Sequence, residues 1–317
     1  MAKRLIFIFL CLFLLSGCGQ PSFTGKLEKV GLLVPETISD QVWGTKGYKG
    51  LLTIQSKFNV DVFYKEGMDN RLSVEKAVDD FHQKGVNLVF GHGSEYESFF
   101  KDISKKYPDI HFVFFNGDAK GENVTSLNFE AHSMGFFGGM VAGEMTKTRK
   151  VGVIASFEWQ PEVDGFREGA HYQNDQVDVE VKYVKHWDDI DAALKILDQM
   201  IVEGVDVVYP AGDGYNVPVI ERLKEEGLYA IGFISDQSDL GEGTVLTSTI
   251  QDVDKLYELV AQQYNKGSLK SGELSFDFSD NVIELGEFSP HVDEEFKQKI
   301  MKDIDTFRKT KKLPNEL

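Results

Sequence analysis

The chain has three tryptophans, Trp43, Trp159 and Trp187, and each stands close to carboxylates, amides or hydroxyls in stretches where apolar runs end. Collected with them at such ends are Ser39, Asp40, His92, Asn116, Phe157, His186, Asp188, Asp213, Tyr215, Ser235, Asp236 and Gln237. Aromatic faces alternating with polar groups suit a flat small molecule, stacked between rings and held at its rim by hydrogen bonds. Asp40, Trp43, Asn116, Trp159, Trp187, Asp213, Tyr215 and Asp236 are the candidate ligand contacts.

Catalytic chemistry has no comparable support. The sequence contains no G-x-S-x-G elbow, no Walker loop and no H-E-x-x-H pair. His92 lies between two glycines near Ser94 and Glu95, but no third group is marked to orient it, so it reads as a polar loop residue rather than a general base. The carboxylates of His186-Trp187-Asp188-Asp189 read as caps of the helix that follows, not as metal ligands. We expect no enzyme activity, no metal and no cofactor.

What positions the contacts is a repeated strand design. Val205 to Tyr209 is a short β-branched and aromatic run that stops at Pro210-Ala211-Gly212-Asp213-Gly214, and Val86 to Phe90 stops similarly at Gly91-His92-Gly93. A second pair, Val30 to Val34 and Val151 to Ala155, precedes them at nearly equal spacing, so the two half-chains carry one pattern. Helical periodicity over 45–58, 73–84, 190–203, 217–227, 252–266 and 293–308 alternates with these runs, Ser73 being the expected cap of the second helix. Strands alternating with helices demand parallel sheets with right-handed crossovers. The fold class is therefore α/β, as two similar three-layer lobes with a ligand cleft between them. Gly135, Gly138, Gly139 and Gly143 give one helix a smooth face for close packing. Lobe 1 is expected over 27–128 plus 247–275, and lobe 2 over 129–246 plus 276–317.

Composition sets the surroundings. Forty-two per cent hydrophobic residues and 8 prolines describe a folded chain, and 34 Lys and Arg against 51 Asp and Glu leave a net charge of −17. Such a field repels phosphate, which argues against direct nucleic-acid binding. Lys3-Arg4, the apolar run from Leu5 to Leu15 and then Leu15-Ser16-Gly17-Cys18 have the order of a bacterial lipoprotein signal. Residues 1–17 are the expected signal peptide, Cys18 the lipidated residue that ties the chain to membrane lipid on the extracytoplasmic face, and 18–26 a tether. With Cys11 removed and Cys18 acylated, no disulfide or thiol chemistry is left.

Asp40 to Leu51, Tyr107-Pro108-Asp109, Asn123 to Ser126, Phe136 to Gly139, Pro210-Ala211-Gly212, Ser235-Asp236-Gln237 and Leu246-Thr247-Ser248 together resemble the basic-membrane-protein family across nearly the whole mature chain. The resemblance implies a type I periplasmic-binding-protein-like fold and lipoproteins that deliver purine nucleosides to ABC permeases. Within the family, Val42 to Tyr48, Val163-Asp164-Gly165 and Tyr209 to Asn216 resemble a membrane-associated positive regulator of competence gene expression. The same resemblance places a stacking aromatic at Trp43, a base-binding amide at Gly44, a carboxylate at Asn116, a ribose-binding carboxylate at Ile234 and a lysine at Gln251, which joins the candidate contacts. The expected partners are thus membrane lipid, a nucleoside-like small molecule, and either a membrane signalling partner or an ABC permease.

Overall fold

A computed structural model describes residues 26–39 and 43–317. The expected signal peptide, Cys18 and Asp40 lie outside the described residues. The first half runs β1 (Lys29–Leu33), α1 (Trp43–Phe58), β2 (Asp61–Lys65), α2 (Arg71–Gln83), β3 (Leu88–Gly91), α3 (Tyr96–Ile103), β4 (His111–Phe115) and β5 (Val124–Phe129). The second runs α4 (Ala131–Met145), β6 (Lys150–Ala155), α5 (Pro161–Gln173), β7 (Asp178–Tyr183), α6 (Ile190–Glu203), β8 (Val207–Ala211), α7 (Asn216–Glu226), β9 (Tyr229–Gly232) and β10 (Val245–Gln251). α8 (Val253–Asn265), β11 (Gly272–Phe276), β12 (Ile283–Leu285) and α9 (Glu294–Thr310) complete it.

The strands form two six-stranded sheets ordered β11-β5-β4-β3-β1-β2 and β12-β10-β9-β8-β6-β7. The orders are equivalent strand for strand, as the repeat in sequence requires. Every pair is parallel except β10 with β12, which run antiparallel, a departure from the all-parallel expectation. β3, β4 and β8 are buried along their whole length, as strands covered on both faces must be. β10 belongs wholly to the second sheet and β11 to the first, so the chain returns to lobe 1 after Gln251 rather than at residue 247. It crosses between the sheets after β5, after β10 and after β11.

Each sheet lies between two helical layers. On the outer face of the first, Val78, Phe81, Tyr96 and Phe100 of α2 and α3 pack on Val89 and Phe112. On the outer face of the second, Leu197, Met200, Val219 and Leu223 of α6 and α7 pack on Ile154 and Val208. The other faces share one continuous apolar cluster that includes Leu51, Phe90, Tyr257, Phe137, Phe166 and Phe307. Burying each such side chain contributes about 1.5 to 3 kcal/mol. α2 starts one turn earlier than its periodicity suggested, because Asn70 and not Ser73 is the cap: its side chain accepts from Ser73 N at 3.1 Å.

The glycine face of α4 packs on a helix more than on the sheet. A Cβ at Gly139 would lie 2.0 Å from the carbonyl oxygen of Phe166, and one at Gly169 of α5 would lie 1.9 Å from that of Phe136. Backbones this close admit no side chain, so glycines on both helices lock α4 against α5.

His111 on β4 is buried, with Nε2 donating to Thr125 Oγ1 at 2.7 Å while that hydroxyl donates to Lys270 O at 2.8 Å. Burial pushes the imidazole from 6.5 down to about 4. Between these values the unfolded chain takes up a proton that the folded one refuses. Stability that is complete above pH 6.5 is therefore lost as pH falls towards 4, by about 3 kcal/mol in all. Urea titrations from about pH 7 to about pH 4 should show this slope for the native chain and a flatter one for His111→Asn. An equal slope in the variant would place the titrating group elsewhere.

Candidate functional site

In both sheets the strand order reverses between the first and third strands, at β1 and β3 and at β6 and β8. Loops leaving neighbouring strands at such a point diverge to opposite faces, and a crevice opens beyond the carboxyl ends. Here two crevices face each other. They make one cleft of about 840 Å³, lined from β1 and β3 by Val34 to Thr37 and His92 to Glu95, and from β6 and β8 by Trp159 to Glu162, Asp213 and Gly214.

Of the expected contacts, Trp43, Asn116, Trp159, Trp187, Asp213 and Gln251 line this cleft. Tyr215 does not. It is fully buried beneath β8, its hydroxyl 3.0 Å from Ser156 Oγ and donating to Ala211 O at 3.2 Å, because α7 turns it inward under the loop. Asp236 is also elsewhere: its carboxylate accepts from Glu287 N at 2.9 Å and Ser238 N at 3.1 Å, tying two loops of lobe 2. Gln237, at a strand exit as well, is used internally, accepting from Phe233 N and donating to Asn216.

The lobe 1 wall is built on His92. Its Nε2 lies 2.6 Å from Trp43 O, a carbonyl that can only accept, so Nε2 donates there, and Nδ1 is hydrogen-bonded to the Tyr257 hydroxyl at 3.0 Å. Trp43 stacks on the imidazole at 4.4 Å and 12°, and its Nε1 donates to His92 O at 3.3 Å. Phe115 meets both rings edge-on. α1 can approach this closely because Gly47 and Gly50 leave room for His92 and Tyr257, where a Cβ would stand 2.6 Å from either ring. The loop histidine expected from sequence is therefore a fully buried support for Trp43.

The lobe 2 wall is a cluster of three rings. Phe157 and Trp159 stack at 5.6 Å and 9°, and Trp187 meets them edge-on at 5.3 and 5.7 Å. Trp159 keeps 66% of its surface exposed. Below it, Gln160 donates to Glu162 Oε1 at 2.8 Å and to Ala211 O at 3.0 Å. Glu162 is almost wholly buried, and desolvation raises its pKa.

Sequence reasoning missed Glu36, Glu95, Gln160 and Glu162. Each lies within three residues of Ser39, His92 or Trp159, so a wider window around those residues would have found them. Asn116 and Ile234, both at the rim, adopt left-handed backbone with φ of 57° and 62°. Among the described residues no group of three or more His, Cys, Asp or Glu is placed to hold a metal ion. No described helix is long and apolar enough to cross a membrane.

Lys46 of α1 bridges the lobes behind the cleft. Its ammonium donates to Ile234 O and Gln251 O, both at 3.2 Å, and burial lowers its pKa. Lys46→Met removes both bonds and is expected to cost about 1 to 3 kcal/mol, a fall of several degrees in Tm by calorimetry. An unchanged Tm would show that this bridge does not hold the lobes together in solution.

The model of the Bmp family, ABC transporter substrate-binding proteins of the PnrA-like type, matches residues 27–316. The transcriptional activator protein Med of Bacillus subtilis (strain 168) is 59% identical over 314 residues, covering 99% of each chain. Basic membrane protein A2 of Borrelia garinii subsp. bavariensis is 26% identical over 84% of this chain and 82% of its own. Among solved structures, a transcriptional activator of the comK gene from Bacillus halodurans superposes with a TM-score of 0.86 at 49% identity, over 90% of this chain and 99% of that one. A solute-binding protein of an ABC transporter system from Conexibacter woesei shares the fold, with a TM-score of 0.74 at 17% identity over 92% of this chain and 99% of the other.

Proposed function

The chain belongs to the Bmp family of PnrA-like substrate-binding proteins, and we propose that it is a lipid-anchored, extracytoplasmic binding protein that works as a positive regulator of competence gene expression. The observation that carries the reading is likeness to an activator at 59% identity over 314 residues, 99% of each protein. Two activators, at 59% and 49%, resemble it far more than the solute-binding protein at 17% does. Regulation is indirect in this reading. A protein held outside the membrane through Cys18, with a net charge of −17, neither reaches DNA nor attracts it. Occupancy of the cleft is the signal, passed on by lobe movement to a partner at the membrane.

The second reading, a solute-binding subunit of an ABC importer for purine nucleosides, is favoured by the family and by the size of the cleft. Three features weigh against a nucleoside. Gly44 offers no side-chain amide, Ile234 puts an apolar side chain where the resemblance implies a carboxylate, and Gln251 puts a neutral amide where it implies a lysine. A missing charge-assisted contact costs about 1.5 to 3 kcal/mol, or one to two powers of ten in affinity.

Deleting the gene should lower a competence-gene reporter several-fold, with restoration by the native chain and not by Cys18→Ser. Purine nucleosides at about 1 mM should leave the Tm of the protein unmoved. A ligand at about 100 times its Kd adds about 2.7 kcal/mol, a rise of several degrees. Such a rise with nucleosides, and a reporter indifferent to the deletion, would put the importer reading first.

A further inference from the structure

The cleft has a sign as well as a shape. Five carboxylate residues line it, Glu36 and Glu95 from lobe 1 and Glu162, Asp188 and Asp213 from lobe 2, and no lysine or arginine is among the described residues that do. Nearby cations are already engaged: Lys46 by two backbone carbonyls, Lys185 by Glu158 at 2.5 Å, and His186 by Asp188. His92 is engaged by Trp43 O and the Tyr257 hydroxyl.

The aromatic walls point the same way. Tryptophan faces attract cations through the ring quadrupole, more strongly where water is excluded, and Trp43, Trp159 and Trp187 all border the cleft. Glu162 stands beneath this wall, 94% buried, with a hydrogen bond from the Gln160 amide and no cation within salt-bridge reach among the described residues. Burial, and after it the like charge of Glu36, raises the pKa of Glu95. An anion such as a nucleotide phosphate would face five carboxylate residues here with no lysine or arginine to offset them among the described lining residues. A bare metal ion would leave most of 840 Å³ unfilled and the rings without a role.

We propose that the ligand of this cleft is a small organic cation, an aromatic cation or a quaternary ammonium compound, stacked between Trp43 and the Trp159–Trp187 wall with its charge facing Glu162 and Glu95. This rests on the cleft being the ligand site of a binding protein, and it replaces the neutral nucleoside by a ligand of defined charge.

Matched pairs that differ in charge but hardly in shape test it. The full chain in detergent is titrated calorimetrically with 1-methylnicotinamide against nicotinamide, and with choline against 3,3-dimethylbutan-1-ol. In at least one pair the cation should bind at least about tenfold more tightly, the equivalent of about 1.4 kcal/mol. Glu162→Gln and Glu95→Gln should each cut that preference at least threefold. Should Glu162→Gln fail to fold by circular dichroism, Glu95→Gln and the native comparison still decide. Equal binding within both pairs, no binding of either cation at about 10 mM, or heat with only adenosine or only calcium chloride would each overturn the proposal. Failure of the regulator reading would show separately, as an unchanged reporter in the deletion strain, a measurement that uses no ligand.

Discussion

A parallel strand cannot return to its neighbour without a crossover, and that constraint governs the rest of the molecule. Every strand of β1 to β5 and β6 to β10 enters its sheet from the same end, so all the loops that carry polar groups leave from the other. Where the order reverses, at β1 and β3 and again at β6 and β8, those loops part and leave a crevice. The three crossings between sheets turn the two crevices towards each other. The cleft is thus a consequence of topology, and the side chains only decide what it accepts.

How the walls are held separates the two lobes. Trp43 is locked by a buried imidazole with both nitrogens committed and by glycines that let α1 press against it, so this wall is rigid. The opposite wall rests on ring-to-ring contacts near the surface, with Trp159 largely exposed. Lys46 donates across the junction to Ile234 and Gln251.

Much of this was legible in the sequence. The repeated apolar runs ending in glycine identified the central strands, and all three tryptophans fell at the cleft as their position after those runs implied. The remainder failed for identifiable physical reasons. β5 reads Val-Thr-Ser-Leu-Asn-Phe and β11 reads Gly-Glu-Leu-Ser-Phe, too mixed for a period to announce them; only pairing with each other and with β4 makes them strands. Tyr215 and Asp236 sit at strand exits as expected, yet position along the chain does not set side-chain direction, and α7 and the 286–287 loop turn them away. The burial of His92 depends on the room left by Gly47, sequence-distant and visible only once α1 packs on β3. The acidic lining is dispersed over five loops and forms a pattern only in space.

The central claim is that this cleft is where the regulator receives its signal, and it can be tested without knowing the ligand. Trp159→Ala with Trp187→Ala removes the lobe 2 wall while leaving the buried layers of both lobes intact. In a strain lacking the native chain, this double variant, made at native level and located at the membrane, should leave a competence-gene reporter near the level of the deletion. Full reporter activity with that wall removed would contradict the account and place the signal on another surface.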